Sequence, residues 1–530
     1  MTSPAARKGE APMTNNDLDN GLLVVDFGSQ TTLLIARRVR ELGVYCEIWP
    51  CTDPRLEQAP ECLGVILSGG PASVGTHGAP TLPAGLFRFD RPVLGICYGM
   101  QLYVEHLGGQ VKAAPNREFG RTPVTLVGEQ DGVLADLPPR GSVVWMSHND
   151  AAVALPSGGR VTARTEGGVT AAMEVADDAF HGLQFHPEVS HTELGTKILG
   201  RFAKEICGAT GEWTMAGLAE QKVAEIREQV GDAKVICGLS GGVDSSVAAA
   251  LISRAIGKNL VCILVDNGLM RHKECEEVEQ AFNQHFEVEL RSVDASEQFL
   301  EALSGVSDPE QKRKAIGKTF IDVFEQEAKT IAGVKFLAQG TLYPDVIESV
   351  SVSGGPSAVI KSHHNVGALP ERLPFKLVEP LRMLFKDEVR ALGAVLGLPA
   401  HILGRHPFPG PGLGIRIIGD VTQEKLALVR EADRIFMDML REEKLYDRAW
   451  QAFCVLLPVK TVGVMGDART YERVLALRAV TSLDGMTADR AELPIAFLGR
   501  VADRIVNNVT GINRVVYDLT SKPPGTIEWE

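Results

Sequence analysis

Short apolar runs alternate with helix-period segments from residue 22 onward. Residues 22–27, 44–49, 63–67 and 93–96 are apolar stretches too short for buried helices and read as strands. Residues 33–42 and 100–107 carry the 3.6-residue repeat of helices. This alternation predicts a largely parallel sheet covered by helices. Residues 122–184 have a strand-and-turn character and end in a further strand at 181–185. A helix over 193–207 closes the unit. After a polar, glycine-containing joint at 208–213, a helix over 218–229 opens a second alternation. It comprises a strand at 235–239, a helix at 245–256, and strands at 260–265 and 334–338. The run Arg405-His406-Pro407-Phe408-Pro409-Gly410-Pro411-Gly412-Leu413-Gly414 excludes a helix or a central strand and sets a second boundary. Beyond it a helix at 423–443 mixes with strands at 453–459 and 515–519. The expected organisation is a loose tail (1–20), an α/β unit (21–210), a second α/β unit (213–405) and a smaller α+β unit (406–530).

Composition narrows the class. Of 530 residues, 45% are hydrophobic and 23% charged, ordinary for a soluble enzyme and unlike a disordered, collagenous or coiled-coil chain. Lys and Arg number 54 against 67 Asp and Glu, for a net charge of −13. That balance argues against coating nucleic acid or anionic membrane, so neither is expected as a partner. Nine cysteines, with no C-x-x-C pair, indicate neither a disulfide framework nor a zinc ribbon and fit a reducing compartment. No apolar run reaches the ~20 residues that span a bilayer, and the N-terminus lacks the apolar region of a secretory signal. A cytoplasmic protein is expected.

Gly95-Ile96-Cys97-Tyr98-Gly99 lies between a predicted strand and a predicted helix. Small flanking residues permit a sharp turn, and a thiol beside a helix N-terminus is favoured as thiolate, the attacking species in acyl transfer. His186 and Glu188 follow a strand in Gln184-Phe185-His186-Pro187-Glu188. Spacing of two puts both on one face if the extended geometry continues, so His can move the thiol proton while Glu fixes its tautomer. Ser68-Gly69-Gly70-Pro71 ends another strand, where backbone N–H groups can approach an oxyanion. The order of these elements resembles the class I, triad glutamine amidotransferases. That resemblance implies Cys97 as nucleophile, His186 as base and Glu188 as orienting acid. It further implies Gly69, Gly70 and Tyr98 around the oxyanion, and Gln101 at the glutamine substrate.

Ser240-Gly241-Gly242-Val243-Asp244-Ser245-Ser246 lies between a strand and a helix. A Gly-rich turn at a helix start is an anion nest, and no Gly-Lys-Ser/Thr closes it as in a Walker A loop. It resembles the PP-loop of ATP pyrophosphatases, which cleave ATP between the α and β phosphates. The resemblance implies ATP binding by Ser240, Gly241, Gly242, Val243, Asp244, Ser245 and Ser246, with Asp244 near Mg²⁺. Residues 351–357, rich in Gly and Ser, read as a lid. The adjacent His363 and His364 point apart on a strand and do not suit one metal ion.

A Cys glutaminase followed by SGGVDSS, GTLYPDVIES, IKSHHN and the terminal KPPGTIEWE resembles the glutamine-hydrolysing GMP synthetase family over residues 22–530. The implied fold is two parallel-sheet α/β domains plus a smaller α+β dimerisation domain. The implied chemistry is adenylation of xanthosine 5′-monophosphate (XMP) by ATP, then displacement of AMP by ammonia from glutamine. Arg514, Lys522, Thr526, Ile527 and Glu530 would hold XMP. Asp345, Glu348, Lys361 and Lys386 would serve the lid, the ATP site or their coupling, and the family implies a homodimer. Two departures stand out. Thr31-Thr32-Leu33 replaces the usual Tyr-Thr-Gln, and Ser147-His148-Asn149-Asp150 replaces Ser-His-Gly-Asp. Two rival readings are a ligase acting on another substrate and a non-catalytic nucleotide sensor. The terminal motif argues against the first, the intact Cys97, His186, Glu188 and Asp244 against the second.

Overall fold

A computed structural model describes residues 18–88, 90–129, 131–138, 141–286, 288–350, 375–465, 467–482 and 487–530. The expected lid, Lys361 and the His363-His364 pair lie outside the described residues, as does most of the expected tail. The end of that tail is not loose. Leu18–Asn20 forms a 3₁₀ turn whose Leu18 is buried in the first core. The described residues group into two compact units, one running to Thr214 with a short segment from Pro344, the other holding the rest from Met215.

The first unit is built on a sheet whose order is β2-β1-β3-β4-β9-β8-β7-β5-β6. β1 (Leu22–Asp26), β2 (Cys46–Pro50), β3 (Gly64–Leu67), β4 (Val93–Ile96) and β9 (Phe180–Leu183) are mutually parallel. β1, β3 and β4 are almost wholly buried, as expected of strands covered on both faces. α1 (Thr32–Glu41) and α2 (Tyr98–His106) supply cover. The parallel sheet expected from the sequence is only part of the whole. β5 (Gln110–Leu126), β6 (Ser142–Ala154), β7 (Gly159–Thr165) and β8 (Thr170–Val175) extend it in antiparallel pairing. Hairpins need no crossover helix, which is why this stretch carries turn signals in place of helical repeats. The closing helix differs from a plain α-helix: α3 (Gly195–Gly200) runs into a π-helical turn at Arg201–Ile206.

In the second unit, α4 (Met215–Val230) precedes a parallel sheet of order β12-β11-β10-β13-β14. Its strands are β10 (Lys234–Leu239), β11 (Leu260–Asp266), β12 (Glu289–Asp294), β13 (Val334–Ala338) and β14 (Lys376–Val378). Its helices include α5 (Val243–Ile256), α6 (Glu274–His285), α7 (Ser296–Ala302), α8 (Pro309–Lys329) and α10 (Lys386–Val395). α9 (Tyr343–Val350), whose residues from Pro344 group with the first unit, carries Asp345 and Glu348. A mixed sheet follows: β15 (Gln451–Met465), β16 (Ala468–Thr481) and β17 (Asp489–Arg490) pair antiparallel, and β18 (Ile512–Tyr517) joins β16 in parallel. α11 (Gln423–Glu442) and α12 (Ile495–Asn508) pack apolar faces into this unit. One core runs from Ile236 and Val261 through Leu413 and Ile417 to Phe436, Cys454 and Ile512, so the residues before and after the Pro-rich run share an interior. That run folds into a 3₁₀ turn at Gly412–Arg416.

Candidate active sites

β3, β4 and β9 are neighbours and parallel, so the residues just beyond their carboxyl ends emerge side by side. These residues are Ser68–Gly70, Cys97 and Gln184–Glu188. Ser68 is fully buried, and its Oγ accepts the Phe27 N–H at 3.0 Å. A Cβ on Gly69 would lie 3.1 Å from His186 Cε1, and one on Gly70 2.9 Å from Tyr98 Cδ1. Glycine there lets the loop backbone approach the site.

Cys97 has φ 49 and ψ −104, an unfavourable conformation for a side-chain-bearing residue. It is held by its own N–H, which donates to Leu183 O at 2.7 Å. Both flanking glycines are required by space: a Cβ on Gly95 would meet Met100 N at 2.7 Å, and one on Gly99 would meet Leu67 O at 2.4 Å. The turn thus sets the thiol at the start of α2, 6% exposed.

His186 Nδ1 lies 2.7 Å from Glu188 Oε1, with Glu188 fully buried. Main-chain bonds fix the histidine: its N–H donates to Trp145 O at 3.0 Å, and Thr192 Oγ1 donates to its carbonyl at 2.6 Å. Burial alone would depress the imidazole pKa. The Glu188 charge and the hydrogen bond with Cys97 outweigh it and raise the value to about 10. The Glu188 carboxylate thus favours the protonated form of the imidazole, with Nδ1 facing Glu188.

Gln101 is buried on α2. Its Nε2 donates to Asp150 O at 2.8 Å and to Gln184 Oε1 at 3.2 Å. Tyr98 Oη donates to Pro80 O at 2.6 Å. The two sequence departures are accommodated locally. Thr31 hydrogen-bonds Ser29 through its N–H and hydroxyl, and Thr32 Oγ1 donates to Asp26 at 2.6 Å. Asn149 is exposed, while the neighbouring His148 is buried between Asp150 O (3.0 Å) and Glu118 (3.3 Å).

In the second unit the sheet order reverses at β10, and between the carboxyl ends of β10 and β13 lies the topological switch point where open α/β sheets bind ligands. Residues 240–246 follow β10 directly and open α5. Gly241 takes φ +74, and α5 begins at Val243, two residues earlier than the sequence suggests. Asp244 and Ser245 therefore sit on the first helical turn, where N–H groups lack intrahelical partners. Gly242 N–H donates to Ser240 Oγ at 3.4 Å, and the Ser245 and Ser246 hydroxyls donate to Gly242 O at 3.1 and 2.9 Å. Beyond β13, Gly340 packs against Asp244; a Cβ there would lie 3.2 Å from its carbonyl carbon. Lys386 is brought to the same place, with Nζ 3.0 Å from Asp244 Oδ2. Asp244 Oδ1 is buried without a hydrogen-bond partner.

The terminal motif is clamped by buried cations that the sequence reading did not single out. Arg416 and Arg478 are fully buried. Arg416 pairs with Glu528 at 3.0 Å; Arg478 pairs with Asp518 at 3.1 Å and donates to Thr526 O at 3.0 Å and Ile527 O at 3.4 Å. Glu530 is held by the buried Lys312, by Arg313 and by Gly419 N–H at 3.3 Å. Burial pushes Lys312 below the usual lysine range, opposed by Glu530. Arg478 stands in a strongly apolar strand, the one local hint that it is paired inside. Lys522 exchanges main-chain bonds with Ala488 (2.8 and 3.1 Å), beside β17. Arg514 is not brought to it: it lies exposed on β18 opposite Val474, whereas β17 meets β16 at Val480. At ~3.3 Å per residue that is about 20 Å of strand.

No group of three or more His, Cys, Asp or Glu forms a metal-holding cluster among the described residues. Mg²⁺ commonly uses only one or two carboxylates plus substrate phosphates and water, so the unpaired Asp244 oxygen at a phosphate-sized nest fits it.

Three sequence families match in the same order as these elements. Glutamine amidotransferase class-I covers residues 23–206, NAD synthase 218–318 and GMP synthase C terminal domain 438–529. The fold and these matches define an ATP-using ligase built on a glutamine amidotransferase. Full-length relatives narrow it further. The chain is 58% identical over 98% of its length to all of the glutamine-hydrolysing GMP synthase of Phenylobacterium zucineum. It is 56% identical to that of Nitrobacter hamburgensis over 100% of this chain and 99% of that one. The chain belongs to the glutamine-hydrolysing GMP synthase family.

Proposed function

We propose that this GMP synthase divides its reaction between the two sites as follows. The Cys97 sulfur attacks the glutamine side-chain carbonyl, and the Gly70 and Tyr98 N–H groups, with Gly69 beside them, receive the oxyanion. His186 gives its proton to the departing ammonia and then activates the water that frees glutamate. Glu188 holds the imidazole and balances its charge. Gln101 lies in the glutamine pocket. The observation that carries this reading is the buried 2.7 Å His186–Glu188 pair beside a cysteine held in a strained turn.

In the second unit the residues from Ser240 to Ser246 bind the ATP phosphates. The XMP O2 oxygen attacks the α-phosphorus, pyrophosphate leaves, and ammonia then displaces AMP to give GMP. When bound, Mg²⁺ supplies charge neutralisation on the phosphates. Asp244 would hold it, and Lys386 would face the phosphates once released from that carboxylate. Lys522, Thr526, Ile527 and Glu530 shape the XMP site, with Asp345, Glu348 and Lys361 coupling the lid to it. A homodimer is favoured by exposed apolar side chains on the mixed sheet: Val462 and Val464 on β15, and Tyr471 paired opposite Val462. None of the nine cysteines is in a disulfide, which favours the cytoplasm. Among the described residues no helix is long and apolar enough to cross a membrane.

Lys522→Ala tests the nucleotide assignment. Its main chain is anchored through Ala488, so the backbone survives loss of the side chain. One charge-assisted bond is worth about 1.5–3 kcal/mol, so half-saturation by XMP should rise roughly ten- to a hundredfold with little change for ATP. Titrating XMP at saturating ATP measures it. An unchanged value rules out the phosphate contact.

A further inference from the structure

We propose that Gln184 positions the Cys97 sulfur and favours its ionised form, and that Gln101 acts on the sulfur through Gln184. The proposal rests on Cys97 being the glutaminase nucleophile. Gln184 follows β9 directly, is fully buried, and its N–H donates to Ala171 O at 2.9 Å, so it has little freedom. Its Nε2 lies 3.6 Å from Cys97 Sγ, within reach of a sulfur acceptor.

The orientation of the amide follows from its partners. Asp150 O can only accept, so the Gln101 atom 2.8 Å from it must be the NH₂ group. The same NH₂ lies 3.2 Å from Gln184, which must therefore turn its oxygen toward Gln101. Its own NH₂ is then left facing the sulfur. The relay is anchored at the far end, because His148 Nδ1 also meets Asp150 O at 3.0 Å. A thiolate accepts such a bond far better than a thiol, so a fixed donor favours the charged form. The sulfur also lies 3.8 Å from Ser147 O, to which the thiol form donates. The ionisable groups coupled to the sulfur are His186 and, through it, Glu188 after β9.

The test is the pH dependence of alkylation of the full chain by iodoacetamide, followed as loss of glutaminase activity. In Gln184→Met, which keeps length but no donor, the half-maximal pH should move upward by about one unit. Gln184→Glu, which places a carboxylate against the sulfur, should move it further. Gln101→Leu should move it in the same direction by less. If Gln184→Met does not fold, the other two variants decide. Profiles coinciding with the parent, with only the maximal rate reduced, would mean that Gln184 merely packs and would overturn the proposal. Parent enzyme that keeps its glutaminase after alkylation of Cys97 would instead overturn the nucleophile assignment itself.

Discussion

Cys97→Ala should abolish GMP formation from glutamine while synthesis from added ammonium salts continues near the parent rate. The loss should be roughly 10⁴-fold or more, since removing the nucleophile of such a set costs about as much as removing the whole set. The substitution is also mild in its packing. The sulfur makes its contacts with Gln184 and Ser147 across the pocket, while the turn is held by main-chain atoms and by Gly95 and Gly99. The glycine-rich turn at 240–246 belongs to a separate compact unit with its own core. Parallel assays with glutamine and with ammonium chloride measure the effect. Equal loss in both, in a protein that still unfolds cooperatively, would mean that the division of labour is wrong.

Asp244→Asn should remove both activities together, by roughly 10²–10³-fold, the scale of deleting one preorganised electrostatic contact in a reacting site. Asparagine keeps the shape, so the first turn of α5 should persist. What it removes is the charge that faces Lys386 at 3.0 Å and the carboxylate oxygen buried without a partner. Release of pyrophosphate at the parent rate would show that this oxygen is not used in ATP activation.

Most of the candidate site was legible because it sits at strand ends, where short motifs coincide with places the chain must turn. The elbow at Cys97, the glycines at 69–70 and the nest at 240–246 each lie directly beyond a buried apolar run, and those runs are the easiest elements to see. What escaped the sequence was set by distant partners. Nothing local to Lys312 announces that it will be buried against Glu530. Gln184 adjoins His186 in the chain, yet its meaning depends on Gln101 and on a carbonyl of β6. α6 and α8 went unremarked because their buried apolar positions, among them Val278 and Phe282, and Ile316, Ile321 and Phe324, are interspersed with charged residues and do not form a continuous apolar run. The long β5–β6 hairpin read only as a strand-and-turn region because its faces mix buried and exposed residues irregularly. The Pro-rich run holds no α-helix or strand, though its last residues enter a 3₁₀ turn, and local composition could not reveal that Leu413 and Ile417 would join the core.

The most direct measurement gives the purified chain ATP, XMP and glutamine labelled with ¹⁵N in its side-chain amide, and follows the label and the nucleotide products together. The account predicts GMP carrying ¹⁵N on its exocyclic amine, with equimolar AMP and pyrophosphate. ADP and inorganic phosphate as products, or unlabelled GMP in the absence of added ammonium, would contradict it.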